Sequence, residues 1–161
     1  MRFSVSTQSF YDDNYEENAV VNDLPSDVQV IDDEQYASFF NAINSDRVVY
    51  LVADEFTISQ PRPDKYYSWD ITSKTWAMTD AAVAQKSADL IADAELRRTT
   101  SLSAAGIAIS PLQDAVDLGM ATDVETRRLT EWKKYRVLLM RIDTSKAPDI
   151  EWPTPPAVQA R

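Results

Sequence analysis

From residue 79 to residue 105 the chain carries no proline, glycine or aromatic side chain and is rich in alanine. Such a stretch has little to make a strand or a turn from and reads as one helix, 79–105. Thr79 can cap it, and Asp80 is favourable in its first turn. Its apolar stripe is thin: Val83, Leu90, Ile91, Ala94 and Leu102. A helix of that kind rarely stands alone, so it is expected to connect two parts of the molecule. The alternative is one strand of an oligomeric coiled coil, which makes a homo-oligomer a candidate assembly.

The break at 79 divides the chain's charge as well as its composition. Residues 1–78 hold 14 acidic and 5 basic side chains, and residues 79–161 hold 12 and 11, within a net charge of −10. An acidic first half lacks the cationic footprint that nucleic acid or an anionic membrane surface demands. Solubility explains the acidity, and a basic patch on a partner is the sharper reading. No apolar run approaches the roughly 20 residues of a membrane span. The opening MRFSVSTQSF lacks the apolar core of a signal peptide. With no cysteine, a cytoplasmic protein is expected.

Absent residue types narrow the chemistry further. Without histidine or cysteine, Ser-His-Asp and Cys-His catalysis and the usual zinc sites cannot be built. Two glycines, Gly106 and Gly119, do not make a phosphate loop. Asp12, Asn14, Glu16, Asn18 and Asp23 fall near a calcium-loop spacing, but Glu17 stands where that loop needs glycine. Acidic pairs such as Asp32/Asp33 and Asp54/Glu55 read as solvated turns. No catalytic residue, cofactor site or metal site is expected.

Before the break, short β-rich runs surround one helix. Residues 2–11 alternate as a strand or hairpin arm, and Val28 to Ile31 make a short strand. Asp32 with Gln35 forms a capping box for a helix carrying Tyr36, Phe39, Phe40 and Ile43. Val48–Val52 and Phe56–Ser59 read as a hairpin turning at Asp54-Glu55. Residues 65–78 read as another, tipped by Thr72-Ser73-Lys74, with Trp69 and Trp76 able to pair across it.

After the break, Ser110-Pro111-Leu112-Gln113 carries three helix-start signals, giving a helix 111–118 closed by Gly119. Thr122 and Glu125 make a second capping box for a helix 123–143. Its apolar face holds Val124, Leu129, Trp132, Tyr135, Leu138, Leu139 and Ile142, with Arg127, Arg128, Lys133, Lys134, Arg136 and Arg141 opposite. Pro148, Pro153, Pro155 and Pro156 then enforce an extended tail, 146–161. Trp152 in that tail is expected to dock on its own helices; a PxxP ligand is the alternative.

The expected fold is therefore α+β. A unit of antiparallel hairpins with one helix (1–78) precedes a helical unit (79–161) made of a connector helix, two further helices and a Pro-rich tail. Candidate partner-binding residues are Phe10, Tyr11, Tyr66, Tyr67, Trp69 and Trp76 in the first unit. Arg136 is the candidate in the second, because Trp, Tyr and Arg dominate interface hot spots.

The runs PLQDA (111–115), Ala121-Thr122, Glu125, Leu129, WKKYR (132–136), RIDTS (141–145), APDI (147–150) and Trp152-Pro153 resemble the C-terminal signature of phage tail fibre assembly proteins. Pro111, Gly119, Thr122, Glu125, Trp132, Tyr135, Trp152 and Pro153 are its structural marks here. A weaker likeness covers Phe10-Tyr11, LPSDV (24–28) and IDDEQY (31–36). One departure is the turn Asn44-Ser45-Asp46-Arg47, where members often carry a glycine.

The resemblance implies a non-enzymatic chaperone without cofactor. Its partner would be the C-terminal, receptor-binding end of a cognate trimeric tail fibre, which it helps to fold and trimerise. It would work in the cytoplasm of the bacterial host during assembly. The alternative is retention at the fibre tip in the virion as an adhesin that contributes to host-surface glycan binding. Contact with the fibre is expected from the first unit.

Overall fold

The computed structural model describes residues 1–12 and 24–156. Most of the calcium-loop candidates lie outside the described residues. The fold is α+β, with small antiparallel sheets and long helices. The chain divides into two compact units, Met1–Val83 and Ala84–Arg161.

In the first unit, β1 (Arg2–Ser4) pairs with β2 (Ser9–Tyr11) and β3 (Val28–Val30) in a sheet ordered β2-β1-β3. Phe3 stands opposite Phe10 on one side and Gln29 on the other. Helix α1 (Asp33–Ile43) starts at the Asp32–Gln35 capping box, both arms of which form. At its far end Arg47 N–H bonds back to Ala42 O (3.0 Å) and Asp46 N–H to Ile43 O (3.2 Å). Asp46 takes φ 53°, the left-handed position a glycine would fill. Aspartate is one of the few other residues that tolerate it, so the glycine-less turn still closes.

Strands β4 (Val49–Val52) and β5 (Glu55–Ile58) form the second hairpin. Its turn is Ala53-Asp54, both at positive φ, rather than Asp54-Glu55. A two-residue hairpin turn that matches strand twist needs that geometry. The third hairpin joins β6 (Ser68–Asp70) to β7 (Thr75–Ala77). Phe3, Ile31, Phe39, Ala42 and Val49 are buried together, with Phe10, Tyr36 and Phe56 packed around them.

The helical half corrects several expectations. In place of helices 79–105 and 111–118 there is one helix, α2 (Asp80–Asp117), with Pro111 inside it. Proline removes one helical hydrogen bond and ordinarily kinks or ends a helix. Here the chain is held on both sides of it. Ala105 is buried in the core ahead of Pro111, and Lys133 donates to Gln113 just beyond it. Ser110-Pro111 is therefore not a helix start. Gly119 does close the helix, at φ 66°, with Met120 N–H bonded to Ala115 O and its own N–H to Val116 O.

Helix α3 (Asp123–Met140) begins at the Thr122–Glu125 capping box but stops before 143. The Asp143 carboxylate accepts from Ser145 N–H and starts a 3-10 turn, Thr144–Lys146, so the exit is not extended from 146. The apolar face is also narrower than the spacing suggests: Leu129, Tyr135 and Leu139 are buried, whereas Val124 and Leu138 are about half exposed. Ala105, Tyr135 and Leu139 form the core of this unit, joined by Leu102, Trp132, Ile142 and Trp152. Trp152 folds back as expected, and Arg97 lies 4.2 Å from its ring centroid.

Candidate partner-binding surface

Of the aromatic candidates, the structure brings Trp69 and Trp76 together. Trp69 and Trp76 face each other across the third hairpin, ring centroids 5.4 Å apart and nearly perpendicular. Tyr50 of β4 joins them, 5.0 Å from Trp69. Trp76 donates its indole N–H to Gln60 O at 2.8 Å. The Trp69 indole N–H is buried with no acceptor among the described residues, although a buried indole usually finds one.

The other candidates have local roles. Phe10 packs on the core, 5.1 Å from Phe3 and 4.8 Å from Tyr36. The Tyr11 hydroxyl meets Thr7 Oγ1. Tyr66 and Tyr67 are half-buried where the chain enters β6, their N–H groups turned to Asp64. Arg136 is half-buried on α3, in the other unit.

A hollow of about 350 Å³ lies in the first unit, lined by Val5, Ser6, Gln8, Val48, Val49, Trp69 and Ile71. Asp27 holds one of its liners, Ser6. The Asp27 carboxylate accepts from Ser4 Oγ (2.7 Å), Ser6 N–H (2.6 Å) and Ser6 Oγ (2.9 Å), pinning the β1–β2 turn to the start of β3. That turn holds Gln8 at φ 53°. Sequence reasoning missed Gln8, Val49 and Ile71, and no local pattern marks them.

Burial pushes the Asp27 carboxyl up, but the hydrogen bonds from Ser4 and Ser6 outweigh it and hold the group below its ordinary range. A folded-state pKa below the unfolded one adds stability above about pH 4, lost as pH falls through the folded value. Asp27→Asn is therefore expected to cost about 1 kcal/mol at neutral pH. That difference from wild type should shrink in acid, as read by urea melts between pH 2 and 7. A gap constant with pH would contradict the assignment.

The second unit presents a different surface. A groove of about 470 Å³ on α3 has Val137 and Leu138 in its floor and Thr130, Lys133, Lys134 and Arg141 around it. Its charged liners are all cationic, in a chain of net charge −10. Among the described residues no group of three or more acidic side chains is placed to hold a metal ion. No described helix is long and apolar enough to cross a membrane.

A family model described as "Caudovirales tail fibre assembly protein, lambda gpK" matches residues 6–157. The chain belongs to the tail fibre assembly protein family. The tail fiber assembly protein of Escherichia phage lambda is 34% identical over 145 residues, 88% of this chain and 72% of that relative. A probable tail fiber assembly protein of Shigella phage SfV is 32% identical over 154 residues, 96% of this chain and 76% of the relative. A probable tail fiber assembly protein of Acyrthosiphon pisum secondary endosymbiont phage 1 reaches 58% over 67 residues. That stretch is 42% of this chain and 43% of the relative, so the chain spans less than half of it. No solved structure matches this tail fibre assembly family member.

Proposed function

We propose that this protein is a chaperone that binds the C-terminal, receptor-binding end of a cognate trimeric phage tail fibre and promotes its folding and trimerisation. The observation that carries the reading is the family match across residues 6–157, with lambda and SfV relatives similar along most of the chain. Two features of the fold support it. The first unit is built of two- and three-stranded sheets, whose edges can cover the unpaired edges of a folding partner. The described surface carries aliphatic side chains on both units, among them Val30, Ile71, Leu138 and Met140. The role needs no cofactor and no reacting group, and it is exercised in the host cytoplasm while fibres assemble.

Co-expression tests it. The cognate fibre should appear as soluble, SDS-resistant trimer with this protein and as aggregate without it. Equal yields of trimer in both cases would sink the proposal.

One observation favours a second reading, retention at the fibre tip as a host-glycan adhesin: the cluster of Tyr50, Trp69 and Trp76, since aromatic faces stack on sugars. Mass spectrometry of purified virions separates the readings, because a chaperone that leaves the fibre is absent from them.

A further inference from the structure

The outward edge of β4 is occupied by a side chain that imitates a peptide. Ser59 N–H bonds to Val48 O at 2.9 Å, which places Val48 toward β5. By strand alternation Val49 turns its N–H and C=O the other way, to the free side of the hairpin. There the Gln8 carboxamide meets both groups: Oε1 accepts from Val49 N–H at 2.9 Å and Nε2 donates to Val49 O at 2.7 Å, its other N–H going to Val5 O, also at 2.7 Å. A primary amide offering one acceptor and one donor to a single strand residue reproduces what a neighbouring strand offers. The next outward carbonyl, that of Leu51, accepts from Lys74 Nζ at 2.8 Å. Side chains thus cover the edge where a sheet would continue.

Two further facts set this edge apart from one that is merely capped. It borders the hollow lined by Val5, Val48, Trp69 and Ile71, so there is room beside it. Trp69 lines that hollow, and its indole N–H is buried without an acceptor among the described residues. An unpaired buried donor is costly, and a carbonyl brought into the hollow would relieve it.

We infer that this edge is a docking site for an extended peptide segment of the partner protein, with Gln8 as a placeholder that the segment displaces. The occupant's chemistry follows from the groups it replaces. It presents a backbone C=O and N–H to Val49 where Gln8 presents Oε1 and Nε2. It brings a further carbonyl to Trp69 and lays an aliphatic side chain against Val5 and Ile71. Strand addition of this kind draws affinity from main-chain bonds and selectivity from alternate side-chain pockets. Because the Trp69 N–H is shielded from solvent, the indole or the exposed loop at Ile71 must move as the segment enters.

Naming the partner as the tail fibre rests on the proposed function, and the test keeps the two apart. Binding of a purified C-terminal fragment of the cognate fibre to the full chain is measured for wild type, Gln8→Ala and Ile71→Arg. Removing the competing amide should tighten binding roughly tenfold, the worth of the two Gln8 bonds to Val49 that the segment otherwise has to displace; the third Gln8 bond, to Val5 O, is absent from the variant whether free or bound. A guanidinium at Ile71, a position 62% exposed and thus safe for folding, should weaken it by roughly tenfold or more.

In Gln8→Ala the Val49 amide should exchange readily with solvent when free and be protected when the fragment is bound. Tighter binding with that regained protection supports the site. Weaker or unchanged binding by Gln8→Ala, with wild-type binding by Ile71→Arg, overturns it while leaving the chaperone reading intact. Wild-type protein that does not bind the fragment overturns both. Should Gln8→Ala fail to fold, Ile71→Arg alone decides, since unaltered affinity excludes a segment in the hollow.

Discussion

Replacing Phe3 by alanine is expected to cost about 3–5 kcal/mol and to leave the first unit largely unfolded at 37 °C. Phe3 is fully buried, and three rings converge on it: Phe10 and Phe39 at 5.1 Å and Phe56 at 6.3 Å. It sits on the central strand of the β2-β1-β3 sheet, so its ring is where that sheet meets α1 and β5. These neighbours come from three separate elements and cannot all collapse into the space it leaves, which puts the cost in the upper range for a core aromatic. A unit of about 80 residues commands only some 4–12 kcal/mol in all. Phe40→Ala is the control. Phe40 is 49% exposed, and its loss is expected to cost under about 1 kcal/mol. Urea melts followed by near-ultraviolet circular dichroism compare the two. Similar midpoints for both variants would contradict the packing described here.

The same comparison bears on partner binding. Val5, Val49 and Gln8 line the candidate groove, while Val49 and Val5 also belong to the Phe3 cluster or pack against it. The groove is the outer skin of this small core. Its shape depends on the aromatic packing beneath, and a loose core would blur the spacing between Gln8 and Val49 before any surface residue changed.

What sequence reading captured is the chemistry that acts over three or four residues. Both capping boxes, Asp32 with Gln35 and Thr122 with Glu125, form as their spacing requires. Gly119 adopts the left-handed closure, and Trp69 meets Trp76 across a turn whose strands are adjacent in sequence. Each depends on backbone geometry that neighbouring residues settle among themselves.

The misreadings have a common cause. Ser110-Pro111 satisfies every local rule for a helix start, yet α2 runs through it because packing at Ala105 and the Lys133–Gln113 bond hold the chain on both sides. Gln8 and Val49 are 41 positions apart, and nothing in the pattern of either marks them as partners. Leu138 fits the helical spacing of an apolar face but is 49% exposed. Long-range contacts decide all three, and periodicity carries no information about them.

Leu138 and Leu139 give the sharpest test of the second unit, because adjacent leucines should behave oppositely. Leu139 is fully buried against Ala105 and Tyr135, in a cluster that Trp132, Ile142 and Trp152 complete. Leu139→Ala is expected to cost about 3–4 kcal/mol, since the aromatic side chains around it can only partly fill the space. It should also loosen Trp152, which packs on the same cluster and lies under Arg97, so tryptophan emission should shift to the red below the melting transition. Leu138 is 49% exposed in the floor of the cation-lined groove. Leu138→Ala should change stability by less than about 0.5 kcal/mol. Any effect of that substitution on fibre trimer yield would then belong to the groove rather than to the fold. If Leu138→Ala destabilised the chain as much as Leu139→Ala, both residues would have to be core, and α3 would have to present a different face to α2.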